Sequence, residues 1–123
     1  MKKYLPLIGI PALYYMCLKP NNQPDRMKLF KKYYFAHRGF YNNEKKCPEN
    51  SIPAFKEAVR LGFGIELDVQ ATSDGRLVVF HDESLERMCG KDKRLTDCTY
   101  KELLCYNLAG SSEKIPRLDE VLK

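Results

Sequence analysis

The 123-residue sequence predicts an α/β fold in which helices cover a parallel sheet. Residues 33–36 and 77–80 are apolar or aromatic along their whole length, as strands are when both faces of a parallel sheet are buried. The segment that follows the first strand has helical periodicity and clear capping residues. Strand, helix and strand then follow one another in the order from which parallel sheets are built.

The first predicted strand, residues 33–36, ends at His37, and a polar loop leads to the first predicted helix. Ser51 is a favourable N-cap, and Pro53 lies in the first turn, where its missing N–H costs no hydrogen bond. Gly62 is expected to end the helix. The apolar positions that recur at helical spacing between these limits are Ile52, Phe55, Ala58 and Val59.

The next predicted strand, residues 64–70, alternates acidic and apolar side chains, so that Glu66 and Asp68 share one face. A glycine-containing turn leads to a third apolar strand, residues 77–82, which closes on His81. The link between these strands is about seven residues long, which is too short for a helical crossover between parallel strands. Its length favours a hairpin, and a hairpin would carry His81 to the far end of the sheet from the first histidine.

Two further helices are predicted in the last third of the sequence. The T-x-x-E pattern of Thr99 and Glu102 is a capping box, and it opens a short helix over residues 100–106. Another helix begins after Pro116, with the residues RLDEVLK. No internal repeat or low-complexity segment interrupts this order.

The basic residues are concentrated near the N-terminus. Residues 1–32 contain seven basic side chains and one acidic side chain, whereas residues 33–123 contain 14 basic and 15 acidic ones. The formal net charge of +5 therefore does not belong to the folded part, and no nucleic-acid partner is expected. The five cysteines form no C-x-x-C pair, which favours reduced thiols in a cytosolic environment.

An uncharged segment, residues 4–18, lies between lysines at the N-terminus. We expect residues 1–20 to form an apolar helix that anchors the protein in a membrane, followed by a basic linker, residues 21–32, at the anionic surface. A cleaved signal peptide and a buried helix of the folded domain are the alternatives. More basic residues follow the uncharged segment than precede it, so residues 33–123 are expected on the cytoplasmic side.

Polar residues gather where the predicted strands end. His37 and His81 are the two histidines of the sequence, and imidazoles can serve as base and acid in one reaction, although each one singly also fits a structural role. Arg38 carries a fixed fork of donors that suits a phosphate. Glu66 and Asp68 carry oxygens that Mg²⁺ and Ca²⁺ prefer, although an E-x-D pair also fits the exposed face of an antiparallel strand.

The combination of these residues is more specific than any one of them. H-R-G at 37–39, P-E-N-S at 48–51, E-x-D-V-Q at 66–70 and V-V-F-H-D at 78–82 occur in an order and spacing that resemble the glycerophosphodiester phosphodiesterase family. The resemblance begins near residue 34 and continues to I-P-R-L-D-E-V-L at the end of the sequence.

The resemblance implies both a fold and a reaction. Residues 33–123 would be the N-terminal part of a TIM (β/α)8 barrel of the phospholipase-C-like type, with its site at the carboxyl ends of the strands. In that barrel the short link would join two parallel strands, against the hairpin that its length favours. The implied reaction is the metal-dependent hydrolysis of a small glycerophosphodiester to glycerol 3-phosphate and an alcohol such as choline or ethanolamine.

The resemblance also assigns roles to the polar residues. His37 would act as the catalytic base and His81 as the catalytic acid, and Arg38 would hold the substrate phosphate. Glu66 and Asp68 would be ligands of the divalent metal, Mg²⁺ or Ca²⁺. The residues that would organise the loop and touch the metal or the substrate are Glu49 and Asn50.

The sequence ends before the strand on which the family carries a third carboxylate ligand. We expect an incomplete barrel of three strands, with an unpaired edge that leaves it unstable and inactive by itself. Two other functions stay open: a catalytically silent, membrane-anchored fragment or interaction module, and a related phosphodiesterase that acts on intact phospholipid. The sequence indicates neither the head group nor the oligomeric state.

Overall fold

The computed structural model of the protein describes residues 17, 27–28 and 30–123. The chain divides into two compact units, residues 1–32 and residues 33–123. In the described part of the first unit, Phe30–Lys32 form an exposed 3-10 helix. The predicted apolar helix and most of the predicted linker lie outside the described residues. Within the ranges that the structure describes, no helix is long and apolar enough to cross a bilayer.

The second unit begins with the parallel strand–helix–strand element that the sequence predicts. Strand β1 is Phe35–His37, strand β2 is Gly64–Glu66, and the two strands pair in parallel. The register places His37 opposite Glu66. The last residues of both strands therefore lie side by side at the carboxyl edge of this pair.

Helix α1, Ile52–Arg60, connects the two strands within its predicted limits. The Ser51 hydroxyl oxygen accepts a hydrogen bond from the N–H of Ala54, and a proline occupies the first turn. After the helix, Gly62 has a φ of +75°, which glycine adopts without strain. Val59, one of the apolar positions that recur at helical spacing, is 67% exposed and lines an open groove beside the helix. The buried side chains of α1 are Ala54, Phe55 and Ala58.

The predicted strand over residues 64–70 is interrupted at residues 67–68. The chain continues as β3, Val69–Ala71, which pairs with β4, Leu77–Val79, in an antiparallel arrangement. The implication of the family resemblance, that the short link joins parallel strands, is therefore wrong. The hairpin that the length of the link favours is confirmed, since so few residues can reverse the chain but cannot cross over the sheet.

The sequence also led us to expect that a hairpin would carry His81 to the far end of the sheet from His37. This expectation is wrong. The hairpin begins beyond the end of β2, so its return strand comes back to the residues that directly follow β2. The N–H of Phe80 donates to the carbonyl oxygen of Asp68 at 2.9 Å, and His81 is the next residue. His81 thus returns to the carboxyl edge of β2 instead of being carried away from it.

The apolar core of this unit includes β4 and the segment that follows it. The shorter elements are a 3-10 helix Asn43–Lys45, α2 Glu86–Cys89, a 3-10 helix Leu95–Asp97, α3 Tyr100–Leu103 and α4 Leu118–Val121. The predicted capping box of Thr99 and Glu102 is present, although α3 is shorter than the predicted helix. The buried side chains that pack together are Val78, Phe80, Leu85, Met88, Leu95, Cys98, Leu103, Leu108 and Ile115.

Part of the second unit presents apolar side chains to solvent. Tyr34, just before β1, is 81% exposed, and Phe35, the first residue of β1, is 51% exposed. An open groove of about 360 Å³ lies beside α1 and α4, and Val59, Ile65 and Val121 contribute to its apolar lining. Further strands and helices cover such surfaces in a closed barrel, so these features fit the expected incomplete barrel.

Candidate active site

The loop after β1 is shaped by left-handed backbone conformations. Arg38 and Asn50 have φ values of 59° and 54°, which are uncommon for residues with side chains, and the N–H of Asn50 donates to the carbonyl oxygen of Arg38 at 2.9 Å. Gly39 lies so close to α1 that a Cβ atom there would stand 2.9 Å from the Cβ of Ala54. This packing holds Glu49 and Asn50 inside the protein, at 5% and 2% exposure.

Glu49 is the centre of a network of charged groups. Its carboxylate accepts one hydrogen bond from Arg38 Nη1 at 2.9 Å and two from Arg87, at 2.6 and 3.1 Å. Burial raises the pKa of Glu49 more than any single contact lowers it, but the hydrogen bonds from Arg87 and Arg38 together hold this pKa below its ordinary value. Glu49 is therefore an ionised carboxylate that joins the loop after β1 to helix α2.

Asp68, which lies between β2 and β3, contacts the same loop. Its Oδ2 atom accepts a hydrogen bond from Asn50 Nδ2 at 3.0 Å and lies 3.5 Å from Arg38 Nε. The buried Arg38 Nε and Asn50 Oδ1 have no hydrogen-bond partner in the part of the chain that the structure describes. Buried polar atoms of this kind are rare in proteins, and these two offer a donor and an acceptor to a bound molecule.

His37 and Glu66 lie together at the carboxyl edge of the β1–β2 pair. His37 Nε2 is 3.9 Å from Glu66 Oε2, and the same oxygen is 3.3 Å from the backbone nitrogen of Arg38. The two side chains are 68% and 48% exposed. Both groups are therefore accessible to a substrate that enters from solvent.

The ring of His81 is held by a chain of polar contacts. His81 Nδ1 lies 2.6 Å from Asp82 Oδ1, and the Asp82 carboxylate accepts hydrogen bonds from Arg87 at 2.6 and 3.0 Å. The contact with Arg87, opposed by burial and assisted by His81, lowers the pKa of Asp82 to about 2. An ionised Asp82 favours the neutral tautomer of His81 that carries its proton on Nδ1, which leaves Nε2 for proton exchange.

Three residues that contribute to this arrangement had no predicted role: Gln70, Asp82 and Arg87. The Gln70 Nε2 atom lies 2.9 to 3.0 Å from the carbonyl oxygens of residues 80, 81 and 82, and it shares its two hydrogens among them. An acid directly after a strand-end histidine, followed five residues later by an arginine, was the available signal for Asp82 and Arg87.

All of the predicted site residues belong to one network of contacts. Arg38, Glu49, Asn50 and Asp68 form its interior, while His37 and Glu66 join it at the backbone of Arg38. His81 joins it less directly, because it contacts Asp82, and Arg87 connects Asp82 to Glu49. The network brings the predicted residues together, and their individual roles stay predictions.

Oxygen donors of the type that divalent cations prefer lie at this edge. Glu66 and Asp68 supply carboxylate oxygens, and the buried Asn50 Oδ1 adds a neutral oxygen, so the chemistry of the donors fits Mg²⁺ or Ca²⁺. Within the described residues, however, no group of three or more His, Cys, Asp or Glu side chains could hold a metal ion. The residues present are thus fewer than the ligands that such an ion takes.

Residues 37–123, which include the whole network, match the model of the glycerophosphoryl diester phosphodiesterase family. The chain belongs to this family. A glycerophosphodiester phosphodiesterase from Bacillus altitudinis is 46% identical over 96 residues, which are 72% of this chain and 38% of that protein. The present chain therefore spans well under half the length of this relative.

Solved structures of similar proteins give the same result for the fold. A glycerophosphoryl diester phosphodiesterase from Parabacteroides distasonis superposes with a TM-score of 0.65 at 30% identity, over 73% of this chain and 33% of that one. A phosphodiesterase from Oleispira antarctica, in complex with the product sn-glycerol-3-phosphate, superposes with a TM-score of 0.63 at 30% identity, over 72% and 38%. The fold is a partial TIM barrel, as predicted.

Proposed function

We propose that the protein hydrolyses glycerophosphodiesters to glycerol 3-phosphate and an alcohol, in the metabolism of phospholipid head groups. The observation that carries the proposal is the family match over residues 37–123, which contain both histidines and both acids of the E-x-D pair. The product in the structure of the Oleispira antarctica phosphodiesterase is the product proposed here. Because the chain spans less than half the length of its relative from Bacillus altitudinis, the proposed activity is that of the complete catalytic domain.

The two histidines would act in succession on one phosphodiester. His37 takes the proton of the glycerol 2-hydroxyl while its oxygen attacks phosphorus, and His81 gives a proton to the oxygen of the leaving alcohol. The bond from phosphorus to that alcohol breaks, and a cyclic phosphate forms. Water then opens the cycle with the roles reversed, which yields glycerol 3-phosphate and returns both imidazoles to their first states.

Several contacts support these roles. The Asp82 carboxylate lies 2.6 Å from His81 Nδ1, so it orients the ring and leaves Nε2 as the atom that gives a proton to the leaving alcohol. His37 is exposed and has a carboxylate 3.9 Å from its Nε2, so its ring can accept a proton near solvent. The buried Arg38 Nε has no hydrogen-bond partner among the described residues, which suits a guanidinium that receives a phosphate oxygen.

Glu66 and Asp68 would hold a divalent cation, Mg²⁺ or Ca²⁺, together with ligands from outside residues 37–123. Enzymes of this family depend on such a cation. When bound, it neutralises the phosphate charge and lowers the pKa of the attacking hydroxyl. Asn50, which donates to Asp68 at 3.0 Å, would orient that carboxylate towards the ion.

Residues 1–20 would anchor the protein in the membrane, with residues 21–32 as a basic linker and the catalytic part in the cytoplasm. The uncharged segment 4–18 between lysines supports this proposal. Deletion of residues 1–32 should move the protein from the membrane fraction to the soluble fraction. Unchanged sedimentation with membranes after this deletion would contradict the proposal.

A direct assay tests the proposed reaction. The purified complete catalytic domain is incubated with glycerophosphocholine or glycerophosphoethanolamine and either Mg²⁺ or Ca²⁺, and the released glycerol 3-phosphate is measured. A variant that lacks both histidines is the control for a contaminating hydrolase. Release from phospholipid vesicles but not from the small diesters would favour the intact-phospholipid alternative. No hydrolysis of either substrate would favour the silent fragment or interaction module.

A further inference from the structure

We propose that Arg87 is a positioning residue that fixes the ring of His81 through Asp82 and ties it to the loop of Arg38 through Glu49. Its catalytic consequence rests on the proposed function, because His81 needs a defined proton position only if it transfers protons. The arrangement itself is a property of the folded protein and can be measured without any substrate.

The guanidinium of Arg87 binds two carboxylates at the same time. Its Nε and Nη2 atoms donate to Asp82 at 2.6 and 3.0 Å, and its Nη1 and Nη2 atoms donate to Glu49 at 3.1 and 2.6 Å. Only the planar fork of an arginine offers nitrogens in this pattern, since the ammonium of a lysine is a single point charge. The geometry therefore requires an arginine at this position and not merely a positive charge.

The two carboxylates that Arg87 joins lie in different parts of the site. Glu49 belongs to the loop after β1, where its side chain is 7% exposed and also binds Arg38. Asp82 follows β4, where its side chain is 20% exposed and binds His81. A continuous chain of charged contacts therefore connects the predicted phosphate-binding side chain to the predicted acid.

The linked contacts of Glu49, Arg87, Asp82 and His81 differ from an ordinary surface ion pair. Arg94 and Glu83, a nearby pair, are 3.7 Å apart with side chains 65% and 87% exposed, and such pairs contribute little. The Glu49 carboxylate, by contrast, is buried and depends on its two arginines for compensation. Arg94 is therefore a matched control for Arg87, because its removal changes the net charge equally and leaves the chain of contacts intact.

The test reads the proton position on His81 directly. The full-length protein is labelled with ¹⁵N-histidine, and the nitrogen resonances of His37 and His81 are recorded where the rings are neutral. In the unchanged protein we expect His81 to carry its proton on Nδ1. In Arg87→Met we expect loss of this single tautomer and a mixture of both forms, while Arg94→Met leaves it unchanged and His37 serves as an internal reference.

Each outcome decides the proposal. If folded Arg87→Met retains the Nδ1-protonated tautomer alone, Arg87 does not position His81 and the inference is overturned. If Arg87→Met does not fold, Arg87→Lys decides: a mixture of tautomers supports the need for the fork, and an unchanged pattern overturns it. Folding of each variant is judged from the dispersion of its methyl resonances.

A kinetic arm connects the inference to catalysis. In an active protein, Arg87→Met should lower kcat by about 10- to 100-fold with little change in KM, the usual loss when an orienting partner is removed. A substrate with an excellent leaving group should recover most of that loss, because it needs no acid. If the protein hydrolyses no glycerophosphodiester, the proposed function fails, and the tautomer measurement still decides the role of Arg87.

Discussion

The segment that carries His37, residues 37–51, and the segment that carries His81, residues 81–89, are held by different kinds of contact. In the first, backbone hydrogen bonds and close packing on α1 fix the loop, while the His37 side chain is 68% exposed and 3.9 Å from a carboxylate. In the second, the imidazole itself is held, 2.6 Å from an aspartate that an arginine holds in turn.

The difference indicates how each segment will respond to change. A histidine placed by its backbone depends on the shape of the loop, and its ring is not held by a charged partner within hydrogen-bond distance. A histidine placed by charged partners depends on the ionisation of those partners. Variants of the two segments should therefore differ in how their activity and stability respond.

Removal of either imidazole should have the largest effect. In the complete catalytic domain, His37→Ala and His81→Ala should each lower kcat by about 10²- to 10⁴-fold with little change in KM, because each ring transfers a proton in the reaction. The double variant should lose much less than the product of the two losses, since the pair acts as a unit. Steady-state kinetics on glycerophosphocholine measure all three variants.

The choice of substrate distinguishes the roles of the two histidines. A diester with an excellent leaving group needs no acid, so it should restore much of the rate of His81→Ala and little of the rate of His37→Ala. The opposite pattern would show that the roles are reversed. Full activity in both single variants would show that both histidines are structural.

Loss of one carboxylate at the shared edge should have the next largest effect. Asp68→Asn keeps the shape of the side chain but removes a charge that a divalent ion needs, so affinity for the ion and activity should fall together, by at least about tenfold. Calorimetric titration with Mg²⁺ or Ca²⁺ measures the affinity for the ion, and the hydrolysis assay measures the activity. Asp92→Asn, an exposed carboxylate outside the network, is the control. Full wild-type activity in the presence of a chelator would remove the metal from the mechanism.

A smaller effect is expected when the packing of the His37 loop is disturbed. In Gly39→Ala the new Cβ would stand 2.9 Å from the Cβ of Ala54, whereas in Gly75→Ala it would meet nothing within 4 Å. Both glycines have positive φ, at 83° and 75°, so the backbone strain of the two variants is similar. The free energy of unfolding in urea should therefore fall by about 1–3 kcal/mol more in Gly39→Ala. Equal losses would mean that close packing does not fix this loop.

The sequence predicts the features of this protein that depend on local patterns. The cap at Ser51, the parallel β1–α1–β2 element and the capping box at Thr99 each rest on neighbouring residues and were found as predicted. The break at residues 67–68 could not be foreseen, because the alternation of residues 64–70 continues through it. The length of the following link indicated the antiparallel pairing of β3 and β4, whereas the family resemblance implied parallel strands.

The residues of the site could be predicted from the sequence, whereas most of the contacts that hold them in place could not. The predicted residues stand at strand ends and in the loop after β1, where polar side chains are conspicuous in the sequence. The contact of Arg87 with Asp82 has a local signal, but its contact with Glu49 spans 38 residues and no local pattern indicates it. Whether Asn50 orients Asp68 or Arg38 binds Glu49 likewise depends on how the loop folds back over the strands.

The smallest expected effect is a loss of stability in acid that comes from the His81 segment. The pKa of Asp82 is lowered to about 2 by Arg87 and His81, below the value of roughly 3.9 expected for an unfolded chain. A group whose folded pKa is lowered stabilises the protein above its unfolded pKa and loses that contribution as the pH falls through the folded value. The contribution of Asp82 should therefore disappear between about pH 4 and pH 2.

Asp82→Asn isolates this contribution, because the amide does not titrate. Above about pH 4 the variant should be less stable than the unchanged protein by the order of 1 kcal/mol, since solvent weakens partly exposed ion pairs, and the two should converge as the pH approaches 2. Urea unfolding at several pH values measures the stability difference and its disappearance near pH 2. The control variant Asp92→Asn should follow the unchanged protein. A constant stability difference from pH 5 to pH 2 would mean that Asp82 does not hold His81 by charge.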